Sequence, residues 1–167
     1  MAVTSAGILL HHGGATPRVL IAHMGGPFWA RKDARAWTVP KGVVEPGEDA
    51  AAAARREFHE EVGVPAPDLP AVELGAFRYA SGKVVVVLAV EVPAELVGSP
   101  DDPACDDLTT RPGVSTVEAE WPPRSGRRTT FPEVDRAVWC GLDEARERLV
   151  AGQVPAIDAL VAATVRA

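Results

Sequence analysis

Three closely spaced glutamates are the strongest candidates for residues with a chemical function. Glu57, Glu60 and Glu61 stand at positions i, i+3 and i+4, so on a helix their carboxylates fall within one turn. Like charges at this spacing repel each other and weaken a helix. A divalent cation offsets the repulsion, and magnesium prefers hard oxygen ligands together with water and substrate phosphate. The spacing indicates a magnesium site, with a solvated acidic face as the alternative.

The segment around the glutamates has the features of a helix. Asp49 is a suitable N-cap, a run of alanines follows it, and Gly63 can adopt the left-handed conformation that ends a helix. These signals predict a helix from about Asp49 to Val62. One apolar stripe should pack on a sheet while the glutamates, on an adjoining stripe, face a cleft. The apolar stripe consists of Ala51, Ala54, Phe58 and Val62.

Residues 42–64 carry a motif with many fixed positions. They read GVVEPGEDAAAAARREFHEEVGV, which resembles the Nudix box, G-x5-E-x7-R-E-U-x-E-E-x-G-U, where U is a bulky aliphatic or similar apolar residue. Every specified position is filled, and Phe58 is a mild departure at a position that is more often aliphatic. The matching residues are Gly42, Glu48, Arg56, Glu57, Phe58, Glu60, Glu61, Gly63 and Val64.

The resemblance implies a role for each matching residue. Glu57, Glu60 and Glu61 bind magnesium, for which manganese can substitute, and the Gly42 carbonyl adds a backbone ligand. Structural roles fall to Glu48 and Arg56, which pair and brace the loop against the helix, and to Gly63 and Val64. The implied reaction is in-line attack on phosphorus by a metal-polarised water, whose proton passes to a carboxylate. Glu57 is the first candidate for that base.

Later glutamates are alternative candidates, because members of the family differ in whether the base lies in the box or in a later loop. Glu118, Glu120 and Glu133 stand in the relevant region. Glu120 and Glu133 are also candidates for an additional metal ligand. The alternative for each is an ordinary surface carboxylate.

Several cations are candidates for binding substrate phosphates. Residues 37–42 read WTVPKG and resemble the W-x-x-P-K-G segment of Nudix proteins that act on polyphosphate chains, which implies that Lys41 contacts a distal phosphate. Arg124, Arg127 and Arg128 form a second cationic group, suited to an array of phosphate oxygens. The alternative is that these arginines pair with the acidic segment Pro93 to Thr116.

The remaining pattern is consistent with one α/β domain over residues 1–167. Apolar runs predict strands at Ser5 to Leu10, Val19 to His23, Trp37 to Val39, Leu74 to Tyr79, Lys83 to Val92 and Val134 to Trp139. Amphipathic patterns predict helices at Leu142 to Leu149 and Ile157 to Val165. Pro93 to Thr116, rich in proline and aspartate, is expected to be a mobile acidic loop. The family resemblance implies an α/β/α sandwich with a mixed, partly parallel sheet.

The amino-acid composition and net charge argue against nucleic acid polymers and membranes as partners. The 167 residues carry a formal net charge of -6 with a pI near 5.2, so no overall field attracts a nucleic acid polymer or an anionic membrane. We find no apolar stretch of transmembrane length and expect a cytoplasmic protein. Cys105 and Cys140 are too few for a disulfide framework and are expected to be reduced.

The sequence thus predicts hydrolysis of a phosphoanhydride bond in a small nucleoside diphosphate derivative. Diadenosine polyphosphates and nucleoside triphosphates are the first candidates, because the additional cations suit three or more phosphates. ADP-ribose and nucleotide sugars are alternatives. A module that senses a nucleotide without cleaving it is a further alternative, but such a module need not retain every glutamate of the box.

Overall fold

Strands form the centre of the protein in the computed structural model, which describes residues 3–165. Along the chain they are β1 (Thr4–His12), β2 (Arg18–Met24), β3 (Trp37–Thr38), β4 (Lys41–Val43), β5 (Ala71–Arg78), β6 (Val84–Glu91), β7 (Thr116–Glu120), β8 (Arg128–Pro132) and β9 (Val134–Gly141). Seven of them make one sheet, with the order β3-β2-β1-β6-β5, β4 paired to β1 and β9 paired to β2. The β1–β6 pairing is parallel and the others in this sheet are antiparallel.

Helices α1 (Ala50–Val62), α2 (Leu142–Arg148) and α3 (Val154–Thr164) cover the two faces of the sheet. The α1 face buries Ala53, Ala54, Phe58 and Val62 with Ile8, Leu10 and Leu20. The opposite face buries Ala145, Ile157 and Leu160 with Leu9, Ile21, Val85 and Val87. The predicted α/β/α sandwich with a mixed, partly parallel sheet is confirmed.

Strand β6 shows how the sequence forms this sheet. Its residues are mostly valine, and successive side chains point to opposite faces. Val87 therefore packs toward α2 and α3, while Leu88 and Val90 pack toward α1. Because β6 lies between β1 and β5, it is buried on both faces.

Strands β7 and β8 form a separate hairpin, in which Thr116 lies opposite Pro132 and Glu120 opposite Arg128. No strand is predicted from the sequence in this region, where only candidate arginines and glutamates are identified. The reason is that the β7 side chains are exposed and those of β8 are exposed or half-buried, so no apolar alternation marks the two strands.

The segment Pro93 to Thr116 differs from the expected unpacked loop. Leu108 is fully buried in the α1-side core, and the Trp139 indole donates to Asp102 Oδ1 at 2.9 Å. Backbone hydrogen bonds of 2.8 Å in both directions also join Cys105 to Ala137 of β9. These contacts hold the segment against the domain, although its composition is typical of a loop.

Among the helices within residues 3–165, none has both the length and the apolar character needed to cross a membrane. Cys105 and Cys140 are both free thiols, as expected.

Candidate active site

Helix α1 fixes the three glutamates through its two ends. Asp49 Oδ1 accepts from the amides of Ala51 at 2.9 Å and Ala52 at 3.0 Å, which is N-cap geometry. Gly63 has a φ of 80° and donates its amide to the His59 carbonyl at 2.8 Å. The predicted helix and both of its caps are confirmed.

The three carboxylates of α1 occupy different environments. Glu61 is only 5% exposed, and its Oε2 accepts from the Lys41 amide at 2.9 Å. The Glu57 carboxyl group lies against Gly42, in the space that a Cβ at Gly42 would take. Glu60 is half exposed, with 49% of its side chain accessible. The expected common stripe of three glutamates therefore differs from the structure, which places Glu61 on the buried side of the helix.

Burial raises the pKa of Glu61 to about 8. The positive charge of Lys41 and the hydrogen bond from the Lys41 amide oppose this rise, whereas the carboxylates of Glu133 and Glu57 add to it. Lys41, Glu57 and Glu133, which come from three different parts of the chain, therefore all act electrostatically on Glu61.

Arg56 joins the loop before α1 to the glutamates on it. Its Nε and Nη2 donate to the two Glu48 carboxylate oxygens at 3.0 and 2.9 Å, and Nη2 also donates to the Val43 carbonyl at 3.0 Å. Its Nη1 lies 2.7 Å from Glu57 Oε1 and 3.3 Å from Glu60 Oε2. The hydrogen bond from Arg56 lowers the pKa of Glu48 to about 2, as expected for a bidentate pair.

Gln153 positions the segment that leads to Lys41. Its Oε1 accepts from the Val39 amide at 2.8 Å, and its Nε2 donates to Thr38 Oγ1 at 3.0 Å. The Ile8 amide then donates to the Pro40 carbonyl at 3.1 Å. Sequence reasoning missed Gln153, since a single glutamine at the start of a helix carries no motif.

Lys83 is a second residue that the sequence analysis did not single out. Burial lowers the pKa of Lys83 and the positive charge of Lys41 lowers it further, while Glu61 and Glu57 act in the opposite direction. Lys83 therefore belongs to the same charge cluster. Its signal in the sequence is weak: it is one cation directly before an apolar strand that turns out to lie beside β1.

Of the three later glutamates, Glu133 is linked to α1 through Ser115. The Ser115 amide donates to the Glu60 carbonyl at 2.7 Å, and the Ser115 hydroxyl donates to Glu133 Oε2 at 2.6 Å. The amide of Gly25 donates to the Glu133 carbonyl at 2.9 Å. Glu133 thus stands where β8 and β9 pass the C-terminal half of the helix.

Glu118 and Glu120 lie further along the hairpin. Glu118 forms an ion pair with Arg128, and Glu120 Oε1 accepts from the Gly126 amide at 2.8 Å. Strand geometry places Glu120 about 16 Å along β7 from Ser115, at roughly 3.3 Å per residue. The structure therefore brings Glu133, and not these two residues, to the glutamate helix.

Arg124 and Arg127 lie in the turn of the β7–β8 hairpin, and Arg128 begins β8. Arg128 pairs with Glu118 of the facing strand. Across residues 3–165, no ion pair connects these three arginines to the acidic segment Pro93 to Thr116. The alternative in which the arginines pair with that segment is thus not observed.

His23 has a structural environment. It is fully buried, with Nδ1 2.8 Å from Asp135 Oδ1 and Nε2 2.8 Å from the Lys32 carbonyl. Its ring makes an edge contact with Trp37, which is 3% exposed. Trp37 is therefore a core residue, and His23 ties the β2–β3 connection to β9.

The glutamates and Gly42 fit a hard divalent cation in donor chemistry. Within residues 3–165, no three carboxylate, imidazole or thiol side chains converge on one point. The reason is that Arg56 Nη1 holds Glu57 and Glu60 while Glu61 bonds the Lys41 amide. Gly42 leaves room for the Glu57 carboxyl group, and carboxylate oxygens are the ligands that magnesium prefers.

A mixed sheet between helices, with a glutamate-bearing helix held against a Pro-Lys-Gly segment, is the architecture of the Nudix proteins. The chain belongs to this family, because the model for the NUDIX domain matches residues 1–160. By family it is a pyrophosphohydrolase, and Nudix hydrolases generally use divalent metal ions. No curated protein matches the sequence.

Solved structures with the same fold include three informative neighbours. A Caenorhabditis elegans Ap4A hydrolase binary complex has a TM-score of 0.59 at 19% identity, covering 98% of this chain and 99% of that one. A mutT/nudix family protein from Listeria innocua has a TM-score of 0.62 at 18% identity, covering 98% and 94%. The NUDIX domain of Shewanella oneidensis NrtR, complexed with ADP ribose, has a TM-score of 0.58 at 14% identity, covering 98% and 88%. At these identities the likeness establishes the fold alone.

Proposed function

We propose that the chain hydrolyses a phosphoanhydride bond in a nucleoside diphosphate derivative, with magnesium held by Glu57, Glu60, Glu61 and the Gly42 carbonyl. The observation that carries the proposal is the packing of α1 against residues 41–42. Glu61 bonds the Lys41 amide and the Glu57 carboxyl group lies on Gly42. Two carboxylates of α1 thus lie against the backbone of β4, next to Lys41.

The charge distribution supports phosphate binding at that edge. Lys41 affects the pKa of both Glu61 and Lys83, and Glu57 and Glu61 affect the pKa of Lys83, so cations for phosphate oxygens stand beside carboxylates for a metal. When bound, magnesium polarises the attacking water and neutralises charge on the phosphate oxygens. The chain's part is to orient its carboxylates, to hold the phosphates with Lys41 and to accept the water proton.

Two carboxylates are candidates for accepting that proton. Glu57 is the first because it lies directly on Gly42. Glu133 is the second because Ser115 links it to Glu60 and because it affects Glu61. Glu118 and Glu120 are less suitable, since both are engaged within the hairpin.

We further propose that substrates with three or more phosphates are preferred. Lys41 and the hairpin arginines Arg124, Arg127 and Arg128 suit a longer phosphate chain, and the C. elegans neighbour is an Ap4A hydrolase. ADP-ribose is the competing substrate, because the S. oneidensis neighbour was complexed with it. Manganese is expected to substitute for magnesium in either reaction.

A substrate panel tests the proposed activity. Diadenosine tetraphosphate, nucleoside triphosphates, ADP-ribose, NADH and nucleotide sugars are incubated with magnesium, and the products are identified by mass spectrometry. Glu57→Gln and Glu61→Gln should abolish turnover of the best substrate without unfolding the protein. The matched control is Glu73→Gln on β5, an exposed glutamate distant from α1. Turnover within about tenfold of wild type in both site variants, roughly 1.4 kcal/mol in the barrier, would contradict the assigned site.

The phosphate preference has its own test. In Arg127→Ala/Arg128→Ala, kcat/KM should fall more for diadenosine tetraphosphate than for ADP-ribose, because the second substrate has only two phosphates. A charge-assisted contact contributes roughly 1.5 to 3 kcal/mol where it is sheltered, and less in this exposed turn. Equal losses on both substrates, or ADP-ribose as the better wild-type substrate, would contradict the preference.

A further inference from the structure

An aromatic pocket lies between the β2–β3 connection and the β7–β8 hairpin. Its volume is about 310 Å³, and its walls include Phe28, Trp29, Trp121 and Phe131. We propose that this pocket binds the nucleobase of the substrate by stacking, an inference that rests on the proposed nucleotide hydrolysis. The volume is at the lower end of ligand pockets, which measure roughly 300 to 1,000 Å³. It suits one ring system, leaving the ribose and phosphates outside.

The aromatic side chains are unusually accessible for their size. Phe28 is 59% exposed and Trp121 is 36% exposed, whereas Trp37 is 3% exposed. The Phe28 and Trp29 rings stand perpendicular with centroids 4.8 Å apart, so they form two walls that meet at a right angle. Flat aromatic surfaces open to solvent suit a planar heterocycle, since every base presents a π-face for stacking.

Both sides of the pocket are held in place by the domain. The Gly25 amide bonds the Glu133 carbonyl at 2.9 Å, and Gly26 lies against the Phe131 ring. A Cβ at Gly25 would overlap the Pro132 carbonyl oxygen, so glycine permits the close approach. At the far end of the connection, His23 bonds the Lys32 carbonyl. Phe28 and Trp29 are thus presented on a segment that is anchored at both ends.

Three hydrogen bonds connect the pocket to the glutamate helix. The Gly25 amide bonds Glu133, and Glu133 and Glu60 are both bonded by Ser115. The Lys32 amine lies 3.4 Å from the Phe28 ring centroid, which places a positive charge at the rim. A ligand that is aromatic at one end and anionic at the other matches this arrangement, with its ring in the pocket and its phosphates directed toward α1.

Base binding can be measured without hydrolysis. Wild-type tryptophan fluorescence is titrated with AMP, and with ribose 5-phosphate as the base-free control, in the absence of metal. AMP should quench the fluorescence saturably and ribose 5-phosphate should not. Phe28→Ala and Trp121→Ala should each weaken AMP binding about tenfold, the effect of removing one stacking side chain. Trp121→Phe should restore binding to within about threefold, because phenylalanine keeps an aromatic face. Val72→Ala, which truncates another exposed apolar side chain on β5, is the matched control and should bind AMP normally.

The outcomes separate this inference from the proposed function. If AMP and ribose 5-phosphate bind alike, or if Phe28→Ala and Trp121→Ala bind AMP like wild type, the pocket is not a base site even where the enzyme hydrolyses nucleotides. If AMP binding depends on Phe28 and Trp121 but no nucleotide is cleaved, the base site stands and the hydrolysis proposal fails. Sedimentation supplies the last check: a wild-type dimer that Phe28→Ala dissociates would assign the pocket to subunit contact and overturn the inference.

Discussion

Gly42→Ala should lower the catalytic activity and leave the free energy of unfolding nearly unchanged. A Cβ at position 42 would overlap the Cδ and both oxygens of the Glu57 side chain, and no backbone atom is among its nearest contacts. The φ of Gly42 is not in the left-handed region, so alanine is compatible with the local backbone. The added methyl group must therefore keep the Glu57 carboxyl group away from Gly42, whose carbonyl is a proposed ligand of the same metal.

The expected stability change is small because two effects oppose each other. Replacing glycine by alanine at a compatible position stabilises by about 0.4 to 1 kcal/mol through the unfolded chain. Moving Glu57 off its rotamer costs about 0.5 to 1.5 kcal/mol. The sum should lie within about 1 kcal/mol of zero. Activity should fall on the order of 100-fold, because a ligand misplaced by about 1 Å costs that much.

Urea denaturation and magnesium-dependent kcat/KM on the best panel substrate measure the two quantities. Gly141→Ala is the neutral control, since nothing lies within 4 Å of its Cβ. Gly7→Ala is the opposite control, because its Cβ would meet the Pro40 carbonyl oxygen and Lys41, which cannot move freely. It should lose stability by about 1 to 3 kcal/mol. The reasoning is refuted if Gly42→Ala keeps kcat/KM within about threefold of wild type, or loses activity only as it loses stability.

Two further predictions concern folding and reactivity. Gly63→Val should lower the free energy of unfolding by more than about 1 kcal/mol, because residue 63 has a φ of 80° and its Cβ would lie 2.7 Å from Arg111 Cδ; an unchanged denaturation midpoint would contradict this. Burial raises the pKa of Cys140 to about 12, so its reactive thiolate is scarce at pH 8 and increases only as pH rises toward that value. Iodoacetamide at pH 8 should therefore label partly exposed Cys105 before Cys140 in the native protein, as followed by mass spectrometry, and equal labelling rates would show that Cys140 is accessible.

The features that could be predicted from the sequence depend on residues that are close together along the chain. Helix α1 and its caps follow from Asp49, the alanine run and Gly63, each of which acts within a few residues of itself. The burial of Glu61 could not be predicted, because it depends on where β4 places the Lys41 amide. Lys83 joins the charge cluster only through the parallel pairing of β1 with β6, a contact between distant parts of the chain.

The hairpin and the aromatic pocket were missed for a related reason. Phe28 and Phe131 are far apart in sequence, and neither belongs to a periodic pattern. They meet because Gly25 and Gly26 let the β2–β3 connection approach β8 closely. Glycines in a loop can serve several structural purposes. The close approach that Gly25 and Gly26 permit could therefore be identified only once the positions of the β2–β3 connection and of β8 were known.

Arg56 supplies a positive charge that offsets part of the repulsion among the α1 glutamates without a metal. Its Nη1 contacts both Glu57 and Glu60. A metal that takes these carboxylates as ligands must therefore compete with Nη1. The bonds to Glu48 and Val43 use Nε and Nη2 instead, so they can persist while Nη1 gives up its partners. One guanidinium can thus brace the loop and also release the carboxylates, whereas a lysine ammonium, as a single point charge, cannot divide these two tasks.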